Sequence, residues 1–185
     1  MNVPNTLTIF RIILIPVFVL FYAFQIPDWN LWAAVVFIVA SLTDMLDGYL
    51  ARKWNQVTDF GKLMDPMADK LLVLSALLIL QDCGLVYFWV VLVLLAREFI
   101  ISAFRLIAVS KGIVIAADTL GKLKTVSQMV ALALLLLNGW FFGIFGIGWM
   151  DHLLGSILIY ISVVLSVLSC ISYFVKNKGV IGPEN

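Results

Sequence analysis

Charge is scarce in this sequence, and what there is sits unevenly. Asp, Glu, Lys and Arg make up 12% of the 185 residues, about half the share of an ordinary soluble domain. With 63% of its residues drawn from Ala, Val, Ile, Leu, Met, Phe, Trp, Tyr and Cys, the chain has too few polar groups to clothe a globule of this size in water. A soluble fold is therefore excluded, and lipid is the expected solvent. Cysteine is nearly absent: Cys83 and Cys170 are expected at different depths, which leaves no disulfide and no thiolate metal site. The start, MNVPNTLTIFRIILIP, has one basic residue inside its apolar run and no Ala-x-Ala site, so no cleaved signal peptide is expected. Linkers, repeats and low-complexity segments are missing too, which makes residues 1–185 a single domain. No nucleic-acid partner is expected.

What is present is a series of apolar runs broken by turn residues or charges, at approximately 7–26, 31–51, 63–80, 85–108, 121–138 and 153–175. Each is long enough, or nearly so, to cross a hydrocarbon core of about 30 Å, which takes roughly 20 helical residues. Backbone groups in lipid must be satisfied within their own element, so the runs are read as helices. The expectation is an all-α integral membrane protein with six transmembrane helices.

The twelve Lys and Arg orient it. Arg11, Arg52, Lys53, Lys62, Lys70, Arg97, Arg105, Lys111, Lys122, Lys124, Lys176 and Lys178 all lie near one alternate set of helix ends, whereas the connections 27–30, 81–84 and 139–152 hold Asp28, Asp82 and Asp151 and no Lys or Arg. The positive-inside rule then makes both termini cytoplasmic. Lys53, Lys62 and Lys111 are read as topology determinants, and Lys70 as a snorkelling side chain. Pro27-Asp28-Trp29-Asn30 is expected to form a tight turn, and the Gly- and aromatic-rich stretch from Asn138 to Trp149 a loop or a short interfacial helix.

Against this background Asp44, Asp47, Asp59, Asp65 and Asp69 fall within 26 residues of one another. Carboxylates at membrane depth are costly unless paired, hydrated or bound to an ion. Asp44 and Asp47 are three apart on the second helix, and Asp65 and Asp69 four apart on the third, so each pair shares a helix face. A short connection makes the two helices antiparallel and turns both pairs toward the same membrane surface. Four such carboxylates would repel one another if left empty, and hard oxygen donors suit one or two Mg²⁺ or Mn²⁺ ions completed by phosphate oxygens and water. The small residues Gly48 and Ala51 leave room beside them, Arg52 can reach a phosphate or base edge, and Gly61 relieves crowding at the turn. Pro66 is read as a first-turn proline or as a bend toward the site. Asp59 is assigned to a solvated loop or cap.

A second polar set lies on the same side. Arg97, Glu98, Ser102 and Arg105 are on the fourth helix, and Lys122, Lys124, Thr125 and Gln128 begin the fifth. Cations in a partly desolvated pocket beside a metal cluster would hold an anionic co-substrate, most simply a second phosphate. Arg97 and Arg105 are balanced between an ion pair with Glu98 and substrate binding. The single histidine, His152, lies toward the opposite side.

The pattern Asp44-x2-Asp47-Gly48-x2-Ala51-Arg52-x8-Gly61-x3-Asp65-x3-Asp69 resembles the complete signature of the CDP-alcohol phosphatidyltransferase family. That resemblance implies six transmembrane helices, a homodimer, a bacterial inner-membrane location with a cytoplasmic site, and displacement of CMP from a CDP-linked lipid by an alcohol with two divalent cations. PNTLTIFRIILIP, DGYLARKWNQVTDFGKLMDPMADKLL, AREFIISAFRL and GKLKTVSQMVAL are similar to the bacterial members whose donor is CDP-diacylglycerol and whose acceptor is sn-glycerol 3-phosphate.

Carried over, the resemblance makes Asp44, Asp47 and Asp65 ligands of one metal, with Asp47, Asp65 and Asp69 around the other and Asp69 as general base. It places Asn5, Thr8, Gly48, Ala51, Arg52 and Gly61 around the CDP moiety, with Arg11 beside them, and tips Arg97, Arg105, Lys122 and Lys124 toward the acceptor phosphate, with Thr125 nearby. Other acceptors within the family (inositol phosphate, phosphatidylglycerol or serine) and, from another class, a divalent-cation transporter are the alternatives.

Overall fold

The computed structural model describes residues 3–53, 59–112 and 119–177, with the side chains of 3–8, 44–53, 59–63 and 65 left out of the description. The described residues are helical and contain no strand. Six long helices follow one another: α1 (Val3–Ala23), α2 (Trp29–Lys53), α3 (Asp59–Asp82), α4 (Phe88–Ser110), α5 (Thr119–Leu137) and, after the four-residue α6 (Trp140–Gly143), α7 (Trp149–Lys176). Their ends lie within a few residues of those expected from the apolar runs.

One difference at a helix start concerns Pro66. Because α3 begins at Asp59, Pro66 sits two turns inside it instead of in its first turn. There it has no N–H to offer the carbonyl four residues back. At the other end of the bundle, α1 and α2 meet through a turn in which Gln25 and Asp28 take left-handed φ values of 46° and 56°. The N–H groups of Leu31 and Trp32 donate to the Asp28 carbonyl at 3.0 and 3.2 Å, which starts α2.

Small residues set how closely the helices approach, as expected where apolar helices pack by shape. Helix α5 packs most extensively on α7 and also meets α2 and α3. Gly155 of α7 lies so near Leu135 of α5 that a Cβ at that position would come within 2.8 Å of the Leu135 Cγ. Ser162, Ser166 and Ser169 continue this buried stripe. The main core joins Phe18 of α1 and Phe37 of α2 to Leu77, Leu94, Leu132 and Leu136.

Large apolar side chains also cover the outside, among them Leu42, Leu78, Leu92, Leu106, Val126, Val164 and Ile171. So much exposed hydrocarbon is stable against lipid and is a liability against water. Helices α5 and α7 are long and apolar enough to cross a membrane.

The polar groups gather at two poles. At one, the Tyr22 hydroxyl donates to Asp82, joining the ends of α1 and α3, and buried Asp151 accepts from the N–H groups of Phe141 and Phe142 at 3.0 and 3.3 Å. That carboxylate ties the short α6 to the start of α7, so the segment before α7 is a small helix held by its own acid. His152 lines a cavity of about 280 Å³ at this pole with Tyr87 and Tyr160. The opposite pole holds the second half of α4, the start of α5, the end of α7 and the first half of α3.

Candidate active site

Helix α4 enters this second pole with Arg97, Glu98, Ser102 and Arg105. Glu98 is the node. It accepts from Lys124 of α5 and from Arg97 Nη1, the latter at 3.2 Å, while its backbone carbonyl accepts the Ser102 hydroxyl at 2.7 Å. Ser102 in turn accepts from Lys70 of α3, so Lys70 points inward to a hydroxyl instead of snorkelling along lipid. Arg97 extends its other terminal nitrogen to Ser169 of α7 at 2.9 Å. Gly121, the third residue of α5, makes room for that guanidinium: a Cβ there would lie 3.3 Å from Arg97 Nη2.

Two cavities open on either side of this node, and Glu98 and Thr125 line both. The first, of about 200 Å³, lies among α3, α4 and α5. Asp69, Lys70, Glu98, Lys124, Thr125 and Gln128 line it along with the apolar side chains of Leu74, Leu77, Leu94 and Phe99. The second, of about 420 Å³, lies among α4, α5 and α7 and is lined by Arg97, Arg105, Lys122, Ser169 and Tyr173. Three cations facing one space of that volume make a site for an anion with several oxygens.

Arg105 is steered by Tyr173. Its Nε donates to the tyrosine oxygen at 3.3 Å, and its guanidinium lies 5.8 Å from the ring centroid, within cation–π range. Arg105 therefore turns to α7, and Arg97 is the arginine that pairs with Glu98.

The structure thus brings Arg97, Arg105 and Lys122 to the second cavity, whereas Lys124, which shares the Glu98 carboxylate with Arg97, lines the first. Lys124 is 2% exposed and turned to Glu98 and the first cavity. Thr125 donates to the Gly121 carbonyl at 3.0 Å. Arg11 is completely buried on α1 and lines neither cavity. Asp69 is at the first cavity, on the same wall as Lys70. The side chains of Asn5, Thr8, Asp44, Asp47, Gly48, Ala51, Arg52, Gly61 and Asp65 lie outside the described residues, and among the described residues no three of His, Cys, Asp and Glu converge.

The donor chemistry nevertheless fits hard divalent cations. Asp44 and Asp47 belong to the last turns of α2, Asp65 and Asp69 to the first turns of α3, and the two helices pack against each other. All four donors are carboxylates, the class that Mg²⁺ and Mn²⁺ prefer.

Ser169 and Tyr173 line the second cavity and hold its two arginines, and the sequence reading passed over them. The sequence signal for them was a polar stripe, Ser162, Ser166, Ser169 and Tyr173, at spacings of four, three and four along one face of an otherwise apolar helix.

Comparison with known proteins identifies the family. The family model for CDP-alcohol phosphatidyltransferase matches residues 1–168. A protein of Bacillus subtilis (strain 168) is 40% identical over 100% of this chain and 99% of its own length. One of Rickettsia bellii (strain RML369-C) is 40% identical over 96% of each chain, and one of Escherichia coli (strain K12) is 41% identical over 93% of this chain and 92% of its own. All three carry the name CDP-diacylglycerol--glycerol-3-phosphate 3-phosphatidyltransferase. With the signature carboxylates on α2 and α3 and a match across nearly the whole length, the chain belongs to the CDP-alcohol phosphatidyltransferase family.

Proposed function

We propose that this protein transfers the phosphatidyl group from CDP-diacylglycerol to sn-glycerol 3-phosphate, releasing CMP and forming phosphatidylglycerophosphate. The observation that carries the choice of acceptor is the second cavity, where Arg97, Arg105 and Lys122 face one volume that abuts Asp69's cavity across Glu98 and Thr125. An acceptor with its own phosphate fits three cations, whereas serine would leave much of that charge unmatched. The names of the three relatives point the same way.

In this reading the acceptor phosphate is held by Arg97, Arg105 and Lys122, while the hydroxyl of the same molecule reaches toward Asp69. Asp69 takes the hydroxyl proton as the oxygen attacks the lipid-side phosphorus. One P–O bond forms, the P–O bond to CMP breaks, and CMP leaves with the electron pair. Arg52, Gly48, Ala51, Gly61, Asn5 and Thr8 frame the cytidine diphosphate. Lys124, desolvated and fixed by Glu98, adds positive charge at the rim of the first cavity. Asp44, Asp47, Asp65 and Asp69 would hold two divalent cations, Mg²⁺ or Mn²⁺, which when bound neutralise charge building on the phosphate oxygens.

The six long helices cross a bacterial inner membrane with both termini in the cytoplasm, and the site opens on that side. The separation of charged groups supports this orientation, since every Lys and Arg lies toward one set of helix ends. Two copies associate, as in the family it belongs to.

The decisive measurement is CMP release by purified protein supplied with CDP-diacylglycerol, Mg²⁺ or Mn²⁺ and each candidate acceptor in turn. sn-Glycerol 3-phosphate should support the fastest release, ahead of inositol phosphate, phosphatidylglycerol and serine. Equal release with no acceptor present would refute the transfer reaction.

A further inference from the structure

Within the first cavity, Gln128 is a buried polar side chain that the reaction above does not use. It lies on α5 one helical turn beyond Lys124, on the same face, so the two groups sit about 6 Å apart along the helix axis. Gln128 is 3% exposed, yet it lines the cavity, and its amide nitrogen has no hydrogen-bond partner among the described residues. A buried amide donor left unpaired is unfavourable and is rare in native structures. Its terminal torsion is the broad, roughly two-fold kind, so the amide can turn its nitrogen to the cavity.

The cavity around it changes character at this level. Asp69 and Lys124 mark the charged end, whereas Leu74, Leu77 and Leu94 line the remainder with hydrocarbon. A ligand spanning both must be charged at one end and apolar at the other, with an acceptor oxygen between them. A diacyl lipid whose phosphate lies beside Lys124 has this order, because its ester carbonyls are the first acceptors met on moving from the phosphate toward the acyl chains.

We infer that Gln128 donates its side-chain amide to an acyl-ester carbonyl of the lipid substrate and so makes the enzyme prefer ester-linked over ether-linked donors. This rests on the transfer reaction proposed above and adds a specificity determinant to it. Gln128 touches neither the acceptor cavity nor the reacting phosphorus, so its contribution belongs to recognition of the donor lipid.

The test compares CDP-dioleoylglycerol with its dialkyl-ether counterpart of the same chain length, reading CMP release at saturating sn-glycerol 3-phosphate. The wild-type protein should show a kcat/KM about tenfold higher for the ester, the size expected of one neutral hydrogen bond in a desolvated site. Gln128→Met keeps length and volume but removes the donor. It should bring the ratio to about one by lowering the ester value, with KM for sn-glycerol 3-phosphate unchanged. Equal use of ester and ether by the wild type, or a ratio that persists in Gln128→Met, would overturn the inference while leaving the transfer reaction intact. Absence of CMP release from the wild type with either lipid would overturn the transfer reaction itself. Should Gln128→Met fail to fold, the wild-type ratio and that of Gln128→Asn decide: the shortened amide should pull the ratio toward one, and an undiminished ratio refutes the contact.

Discussion

Glu98 of α4 and Lys124 of α5 form an ion pair in which the lysine side chain is almost wholly withdrawn from solvent and the glutamate is 27% exposed. Arg97 leans on the same carboxylate oxygen. Removing the acid therefore strands two cations, whereas removing the lysine leaves the acid still paired. Glu98→Ala should destabilise the protein by about 3 kcal/mol, in the range for breaking one side of a buried pair, and Lys124→Met by clearly less. The pair Glu98→Gln with Lys124→Met should recover part of the loss. Unfolding of the detergent-solubilised variants by heat or denaturant checks the order; a Lys124→Met cost equal to or above that of Glu98→Ala would refute it.

The second cavity predicts a split between substrates. Arg105→Gln and Lys122→Gln each remove a charged donor from the wall facing the acceptor, so KM for sn-glycerol 3-phosphate should rise about 10- to 100-fold, the worth of one charge-assisted hydrogen bond. KM for CDP-diacylglycerol should stay within about twofold in the same assays, a tolerance narrower than the effect of one lost hydrogen bond. Tyr173→Phe removes the hydroxyl that receives Arg105 and keeps the ring, so it should raise the acceptor KM less than Arg105→Gln does. A rise in both KM values together would mean that these residues support the fold and do not select the acceptor.

Much of this pole was legible beforehand because hydrophobic runs and cation placement are long-range patterns that survive small errors in helix ends. The six long helices and the grouping of Arg97, Arg105 and Lys122 follow from them. The place of Lys124 was also open to derivation. Two residues apart, Lys122 and Lys124 are about 200° apart around a helix, so they face different neighbours, and the second cavity takes Lys122 alone. Less accessible was the start of α3. Pro66 reads as a first-turn residue or a bend by its own preference, but the helix already begins at Asp59. Asp151 was unreadable for another reason: its partners, the N–H groups of Phe141 and Phe142, are backbone groups whose orientation depends on a four-residue helix with no periodic signal.

Asp69 is assigned the proton of the acceptor hydroxyl. Asp69→Asn keeps the shape and removes the base, so turnover should fall by at least about 100-fold, the lower end for loss of a positioned general base. Thermal stability should change little by comparison. Chelation should abolish CMP release from the wild type, and Mg²⁺ or Mn²⁺ should restore it. Retention of more than a tenth of wild-type turnover by Asp69→Asn would remove Asp69 from the reaction.

Close approach of α5 and α7 makes Gly155 a sensitive position. A Cβ there meets the Leu135 side chain at 2.8 and 2.9 Å and the Ala131 carbonyl oxygen at 3.3 Å. Gly155→Val should therefore push the helices apart and cost about 1–3 kcal/mol, as overpacking does. Leu135→Ala should rescue Gly155→Val in part, because it frees the volume the new side chain needs. The same separation would loosen the Arg97–Ser169 contact across α4 and α7, so acceptor KM should worsen in Gly155→Val and improve in the double variant. Loss of stability without any rescue would place the strain elsewhere.

Orientation in the membrane can be read from a native thiol. Cys83 follows α3 at the pole opposite the candidate site and is exposed, whereas Cys170 is half-buried on α7. In a Cys170→Ser background, a membrane-impermeant maleimide added to intact spheroplasts should label Cys83, and inside-out vesicles should be protected. The reaction should be slow at neutral pH. Although the residue is exposed, partial desolvation of its sulfur pushes the Cys83 thiol above its ordinary range and the Asp82 carboxylate adds to this, while the interaction with Tyr22 acts the other way without offsetting them. A raised pKa means less thiolate at any pH below it, and the thiolate is the reacting form. Labelling should thus keep accelerating to a higher pH than that of a free cysteine. Preferential labelling of inside-out vesicles would reverse the topology and put the basic pole on the wrong side of the membrane for a cytoplasmic acceptor.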